Sequence, residues 1–133
     1  MSEKFTVEMP VRFRDLDPLN HVNNAVYVSY LESARVAYVE EVFESSLSDV
    51  SFVVANLEIS YERPITMDDD PVIVLWTTDL GTSSCTMAYE IRVDGDVVST
   101  AETVMVCTDL ETGTPTPIPD SVRERVQAYD DLE

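Results

Sequence analysis

Lysine is almost absent from this chain: Lys4 stands alone, and 8 basic residues face 26 acidic ones for a formal net charge of −18 over 133 residues. A chain of that sign repels nucleic acid and anionic membrane surfaces, so neither is expected as a partner. One histidine, His21, and two widely separated cysteines, Cys85 and Cys107, make no credible ligand set, so no metal is expected. Both cysteines sit in strand-like patterns and read as buried free thiols. The three glycines form no Gly-rich phosphate cradle. No run of about 18 apolar residues occurs, and the start, MSEKFTVEMP, has no apolar signal core, which points to a soluble, cytoplasmic protein.

What is abundant is acid, spread along the chain rather than gathered in a tail. Self-repulsion at that charge destabilises a compact state unless salt screens it, and the Debye length falls to roughly 3 Å at 1 M. The composition therefore predicts a halophilic protein. One domain over residues 1–133 fits the length, which suffices for one core but is small for a deep enclosed cleft. A site completed by a second subunit would answer that shortage.

Phe5, Val7, Met9, Val11 and Phe13 alternate with polar or small residues, the period of a half-buried strand, and Asp15 and Asp17 continue the parity up to Pro18. From Asn24 to Phe43 the spacing turns helical, with Tyr27, Tyr30, Leu31, Ala34, Tyr38 and Val42 on one stripe and Asn23 or Asn24 as N-cap. After a loop over Ser45–Ser51 come four strand-like runs: Val53 to Tyr61, one around Val72 to Trp76, Cys85 to Val93, and Val97 to Cys107. Asp94-Gly95 signals a two-residue hairpin between the last two. Three prolines between Thr114 and Pro119 end the sheet before a short helix over Ser121–Tyr129. The order predicts an α+β class: one long helix packed on a mostly antiparallel five-stranded sheet.

Chemistry concentrates in Val11–Arg35, VRFRDLDPLNHVNNAVYVSYLESAR. A carboxylate beside the unpaired N–H groups of a helix N-terminus can attack, or take a proton near, a carbonyl that those groups polarise, which is acyl-transfer chemistry. Asp17 is the candidate nucleophile or base, and its plain alternative is a turn residue before Pro18. Asp15 reads as support. His21, four residues on, is placed to orient Asp17 or protonate a leaving group. Asn23 and Asn24 read as caps, and Tyr27, Tyr30 and Tyr38 as core.

The spacing D-x-D-x-x-x-H-V-N-N-x-x-Y, carried by Asp15, Asp17, His21, Val22, Asn23, Asn24 and Tyr27, resembles the hotdog-fold thioesterases of the 4-hydroxybenzoyl-CoA thioesterase type. Plant acyl-carrier-protein thioesterases have a similar H-V-N-N signature. Leu57–Val74, LEISYERPITMDDDPVIV, resembles that family's second strand, Arg-Pro exit and following strand. The chain departs from the pattern at Asp68 and near Asn20, where the family often has Gly, and at Leu19, where the plant enzymes carry a catalytic Asn.

The resemblance implies a hotdog fold, a long central helix wrapped by the sheet, and cofactor-free hydrolysis of acyl-CoA or acyl-carrier-protein (acyl-ACP) thioesters. It assigns chemistry to Asp17, a supporting role to His21, and polarisation of the carbonyl to the backbone N–H of Asn24. Tyr27 would touch the acyl group. In hotdog dimers the neighbour's second strand lines the acyl pocket, which makes Val54 and Asn56 candidates there. Arg63, with Arg12, Arg14 and Arg92, is available for the CoA phosphates, each otherwise a surface ion pair. A homodimer joined edge to edge, or a homotetramer of such dimers, is implied. The alternative reading is a non-catalytic acyl-CoA binding or regulatory protein on the same fold.

Overall fold

The computed structural model describes residues 4–43, 50–130 and 132. Five strands, β1 (Phe5–Glu8), β2 (Val50–Tyr61), β3 (Val72–Leu80), β4 (Ser84–Val93) and β5 (Asp96–Asp109), form one sheet in the order β1-β3-β4-β5-β2. Every neighbouring pair is antiparallel. Helix α1 (Asn24–Tyr38) packs on one face of the sheet, and α2 (Asp120–Tyr129) closes the chain. This is the α+β hotdog arrangement. The expected loop over Ser45–Ser51 falls mostly outside the described residues, and Val50 and Ser51 already belong to β2.

The core follows from period. All six residues of the helical stripe, from Tyr27 to Val42, are buried. They meet the inward parity of β4, where Cys85, Met87, Tyr89, Ile91 and Val93 are each 2% exposed or less. Each large apolar side chain buried this way stabilises the fold by about 1.5–3 kcal/mol. On β3 the inward residues are Ile73, Leu75 and Thr77. The helix leaves α-geometry after Tyr38, and Val39–Phe43 forms a π-helical turn that still buries Val42 and Phe43. The β4–β5 hairpin turns on Asp94 (φ 53) and Gly95 (φ 85), two positive values that suit the twist of an antiparallel pair. Cys85 and Cys107 are buried free thiols, and burial pushes Cys85 up to about 11.

Two expectations from alternation are corrected. β1 stops at Glu8; the N–H of Met9 still bonds Pro71, but Pro10 has no donor to continue a ladder. Phe13–Asp15 then forms a 3-10 turn in which the Asp15 carboxylate accepts the N–H of Arg12 at 2.9 Å. Phe13 is consequently 82% exposed instead of core, and Asp15 rather than Asp17 is the buried carboxylate. On β2, register shifts between Val54 and Asn56. One extra residue in a strand reverses the faces beyond it. Leu57 and Ile59 keep the inward parity, as do Phe52 and Val54 before the shift, while Val53 and Asn56 share the outer one.

Candidate active site

The turn before α1 is built from its own polar groups. The N–H of Asp17 bonds the carbonyl of His21 at 2.8 Å, and the N–H of Asn20 bonds that of Asp17 at 2.9 Å. Closing so short a loop puts Asn20 at φ 63, a left-handed value that asparagine tolerates better than most residues. Asp17 Oδ1 accepts the N–H groups of Leu19 at 2.9 Å and His21 at 3.2 Å. Among the described residues Oδ2 accepts nothing. The carboxylate is thus anchored through one oxygen and presents the other.

The chain's N–H groups through the helix entrance can be followed one by one. Val22 donates to Ile65 and Asn23 to the carbonyl of Asp15, each at 2.8 Å. Asn23 is the N-cap, and its side chain accepts from Ala25 at 2.9 Å, while Val26 donates to the carbonyl of Asn23 at 2.8 Å. The N–H of Asn24 has no acceptor among the described residues. A donor left over at the positive end of a helix suits an anionic oxygen.

Asp17 and Asn24 both line one cavity of about 270 Å³, together with His21, Tyr27 and Arg63. His21 is held by a bridge to Thr66, and it is its backbone N–H, not its imidazole, that bonds Asp17. Tyr27 is 2% exposed, and burial raises its hydroxyl pKa. Arg63 has a side chain 46% exposed, reaching the Val93 carbonyl at 3.5 Å and Asp96 at 4.0 Å. Such loose contacts leave the guanidinium available to an outside anion. Of the other arginines, Arg92 is paired with Glu90, whereas Arg12 and Arg14 are exposed on the 3-10 turn.

Val54 and Asn56 are not in this cavity. Val54, 44% exposed, lines a second, more apolar one of about 510 Å³ with Val36, Val39, Phe52 and Met105, further along the seam between α1 and β2. Asn56 lies opposite Val104 and is exposed. The residue that sequence reasoning passed over is Tyr61. Its hydroxyl donates to the carbonyl of Asn24 at 3.0 Å, its ring lies 4.9 Å from that of Tyr27, and it walls the cavity beside Glu62. The alternation of β2 marked Tyr61 as a strand end, but nothing local says that this end meets the start of α1. Among the described residues no group of three or more His, Cys, Asp or Glu is placed to hold a metal ion, and no helix is long and apolar enough to cross a membrane.

Residues 11–126 match the family model described as the thioesterase-like superfamily. The chain belongs to that superfamily. This thioesterase is 32% identical over 125 residues to the long-chain acyl-CoA thioesterase FadM of Escherichia coli strain K12, covering 90% of this chain and 95% of that one. It is 27% identical over 123 residues to a 1,4-dihydroxy-2-naphthoyl-CoA hydrolase of Synechococcus elongatus, covering 88% and 90%. Among solved structures it resembles a thioesterase of Thermus thermophilus, crystallised with coenzyme A and Zn, at 40% identity and a TM-score of 0.83 over 95% of this chain and 93% of that one. The relatives named for an activity are thioester hydrolases, and the hotdog fold is common to the solved neighbour and this chain.

Proposed function

We propose that this thioesterase cleaves acyl-CoA to free acid and thiol with Asp17 as nucleophile or general base and the N–H of Asn24 on the thioester oxygen. One observation carries this reading. A carboxylate oxygen without a donor and a helix N-terminal N–H without an acceptor, among the described residues, belong to residues lining one cavity.

As a nucleophile, Asp17 would add to the carbonyl, expel the thiolate and leave a mixed anhydride that water hydrolyses. As a base, it would take a proton from the attacking water. Either route gathers negative charge on the carbonyl oxygen, where a fixed donor such as the Asn24 N–H is worth about 3 kcal/mol. His21 supplies the proton that the leaving thiolate needs, Tyr27 and Tyr61 wall the reacting end, and Arg63 meets the CoA phosphates. The Val54 groove takes the acyl group.

The outer edge of β2, which pairs with no further strand among the described residues, supports a homodimer, or a tetramer of dimers, in which a second copy closes that edge about a two-fold axis. With a net charge of −18, the enzyme works in a salt-rich cytoplasm that screens it and its polyanionic substrate alike. A carrier-protein thioester is the competing donor. Release of free thiol from a panel of acyl-CoA and acyl-ACP donors in molar salt tests the reaction and its donor, and the mass of the protein in solution tests the oligomer. Turnover abolished by Asp17→Asn is expected. Saturable binding with no thiol released from any donor would make the protein a binding module instead, and full activity in Asp17→Asn would remove Asp17 from the chemistry.

A further inference from the structure

We infer that Tyr30, acting through Asp15, is the positioning residue that holds Asp17 and the Asn24 N–H in register. This rests on the reading of those two groups as the reacting ones.

Tyr30 lies on the second turn of α1, 5% exposed, and Asp15 is 8% exposed beneath it. The Tyr30 hydroxyl donates to Asp15 Oδ2 at 2.8 Å, and the same oxygen accepts the N–H of Arg12 at 2.9 Å. The backbone of Asp15 takes part as well, its carbonyl accepting the N–H of Asn23, the N-cap, at 2.8 Å. One buried residue therefore ties together the exit of β1, the body of α1 and the start of α1. Asp17 follows two residues later, and Asn24 follows the cap by one. The two groups are carried by different segments, a turn and a helix, and Asp15 is where those segments are joined by side chain and backbone together.

Without the Tyr30 hydroxyl, the Asp15 carboxylate keeps a single backbone donor and loses its tie to the helix. The turn can then shift against α1, and a displacement of about 1 Å at a reacting centre costs on the order of a hundredfold in rate. Substrate binding draws on the cavity walls and Arg63, which the change leaves in place. The expected signature is thus a fall in kcat with little change in KM.

Three variants assayed with the best acyl-CoA donor test this. Tyr30→Phe should lower kcat by about ten- to a hundredfold with KM within about twofold. Asp15→Ala, which takes the acceptor away and is available should Tyr30→Phe not fold, should lower kcat at least as far, and the double variant should be no worse than Asp15→Ala alone, since both cut one link. Tyr38→Phe removes a second, partly buried tyrosine–aspartate bond at the far end of α1 and serves as the control. It should lower Tm while leaving kcat unchanged. A Tyr30→Phe enzyme that loses Tm but keeps kcat would overturn the inference, as would equal losses of kcat from Tyr30→Phe and Tyr38→Phe. Asp17→Asn run alongside separates the two readings. If it is inactive while Tyr30→Phe is fully active, only the positioning role falls; if it is fully active, the assignment of Asp17 falls first.

Discussion

The two ends of α1 are built from the same parts to opposite effect. At the C-terminal end the Tyr38 hydroxyl meets Asp130, the residue after α2, and also Thr77 Oγ1 at 2.8 Å. Asp130 in turn accepts the N–H of Thr77 at 2.9 Å. Among the described residues β1 pairs with β3 no further than Leu75, and this carboxylate takes the Thr77 N–H beyond that point. The rings of Phe5, Phe43 and Tyr129 pack edge-on around Tyr38, which is 0% exposed. At the N-terminal end Tyr30 and Asp15 form a similar buried pair, but two residues on Asp17 is held by one oxygen only, at a cavity. Asp130, like Asp17, accepts through one oxygen, but its donors belong to α1 and β3, distant parts of the chain that it ties together. Those of Asp17 are N–H groups of its own turn, and Asp17 lines a cavity.

The largest test of this contrast is Asp17→Asn. Losing the nucleophile or base should lower kcat by on the order of a thousandfold, as removal of such a group commonly does. Tm should hardly move, because an amide oxygen still accepts from Leu19 and His21. A large loss of Tm would mean that both ends of the helix are structural and the contrast is false.

Next is Asp130→Ala, which should act in reverse. It leaves the Thr77 N–H without its acceptor and takes one of two partners from the Tyr38 hydroxyl, at about 1–3 kcal/mol for each buried group left unpaired. A urea titration should show a loss of about 2 kcal/mol, with kcat of the folded enzyme unchanged. Coupled loss of both would show that the two ends communicate through the helix.

These ends were unequally legible in the sequence. The stripe from Tyr27 to Val42 and the alternation from Cys85 to Val93 announce α1 and β4, because local period decides which face is buried. Asn23 as cap and Asp17 with a free oxygen were within reach for the same reason: their partners lie within four residues. Asp130 carries no signal at all. It stands 92 residues from Tyr38, and only the folded chain makes them neighbours. Tyr61 is hidden likewise, its partner Asn24 lying 37 residues away. The bulge between Val54 and Asn56 defeats alternation outright, since no Gly or Pro marks it. Phe13 misled because its parity was right but Pro10 had already ended the ladder.

A smaller effect should appear at alkaline pH. Burial, with the aspartate hydrogen bond adding to it, raises the hydroxyl pKa of both Tyr30 and Tyr38 above the ordinary value of 10, and Cys85 rises from 9.0 to about 11. Groups so raised stabilise the fold fully below their unfolded pKa values, and that stability is lost as pH climbs through the folded ones. Urea midpoints should therefore hold steady up to about pH 8, decline from about 9 as unfolded thiols ionise, and fall more steeply above 10. Tyr38→Phe should flatten the steep part. An unchanged slope would mean that Tyr38 ionises as readily folded as unfolded, and that the sealed end is not sealed.

The smallest expected effect sharpens the contrast within the open end. Asn23→Ala removes the acceptor from the Ala25 N–H and should cost about 1 kcal/mol in urea, as loss of an N-cap usually does. If the Asn24 N–H is the donor that matters in the reaction, the cap is a stability device that happens to adjoin the site, and kcat should stay within about threefold. The change spares both the backbone bond from Asn23 to Asp15 and the Tyr30–Asp15 bond, so the turn and helix keep both links. If kcat instead falls as far as in Tyr30→Phe, the cap side chain itself sets the donor in place. The open end would then depend on a hydrogen bond between near neighbours as much as on the buried pair beneath it.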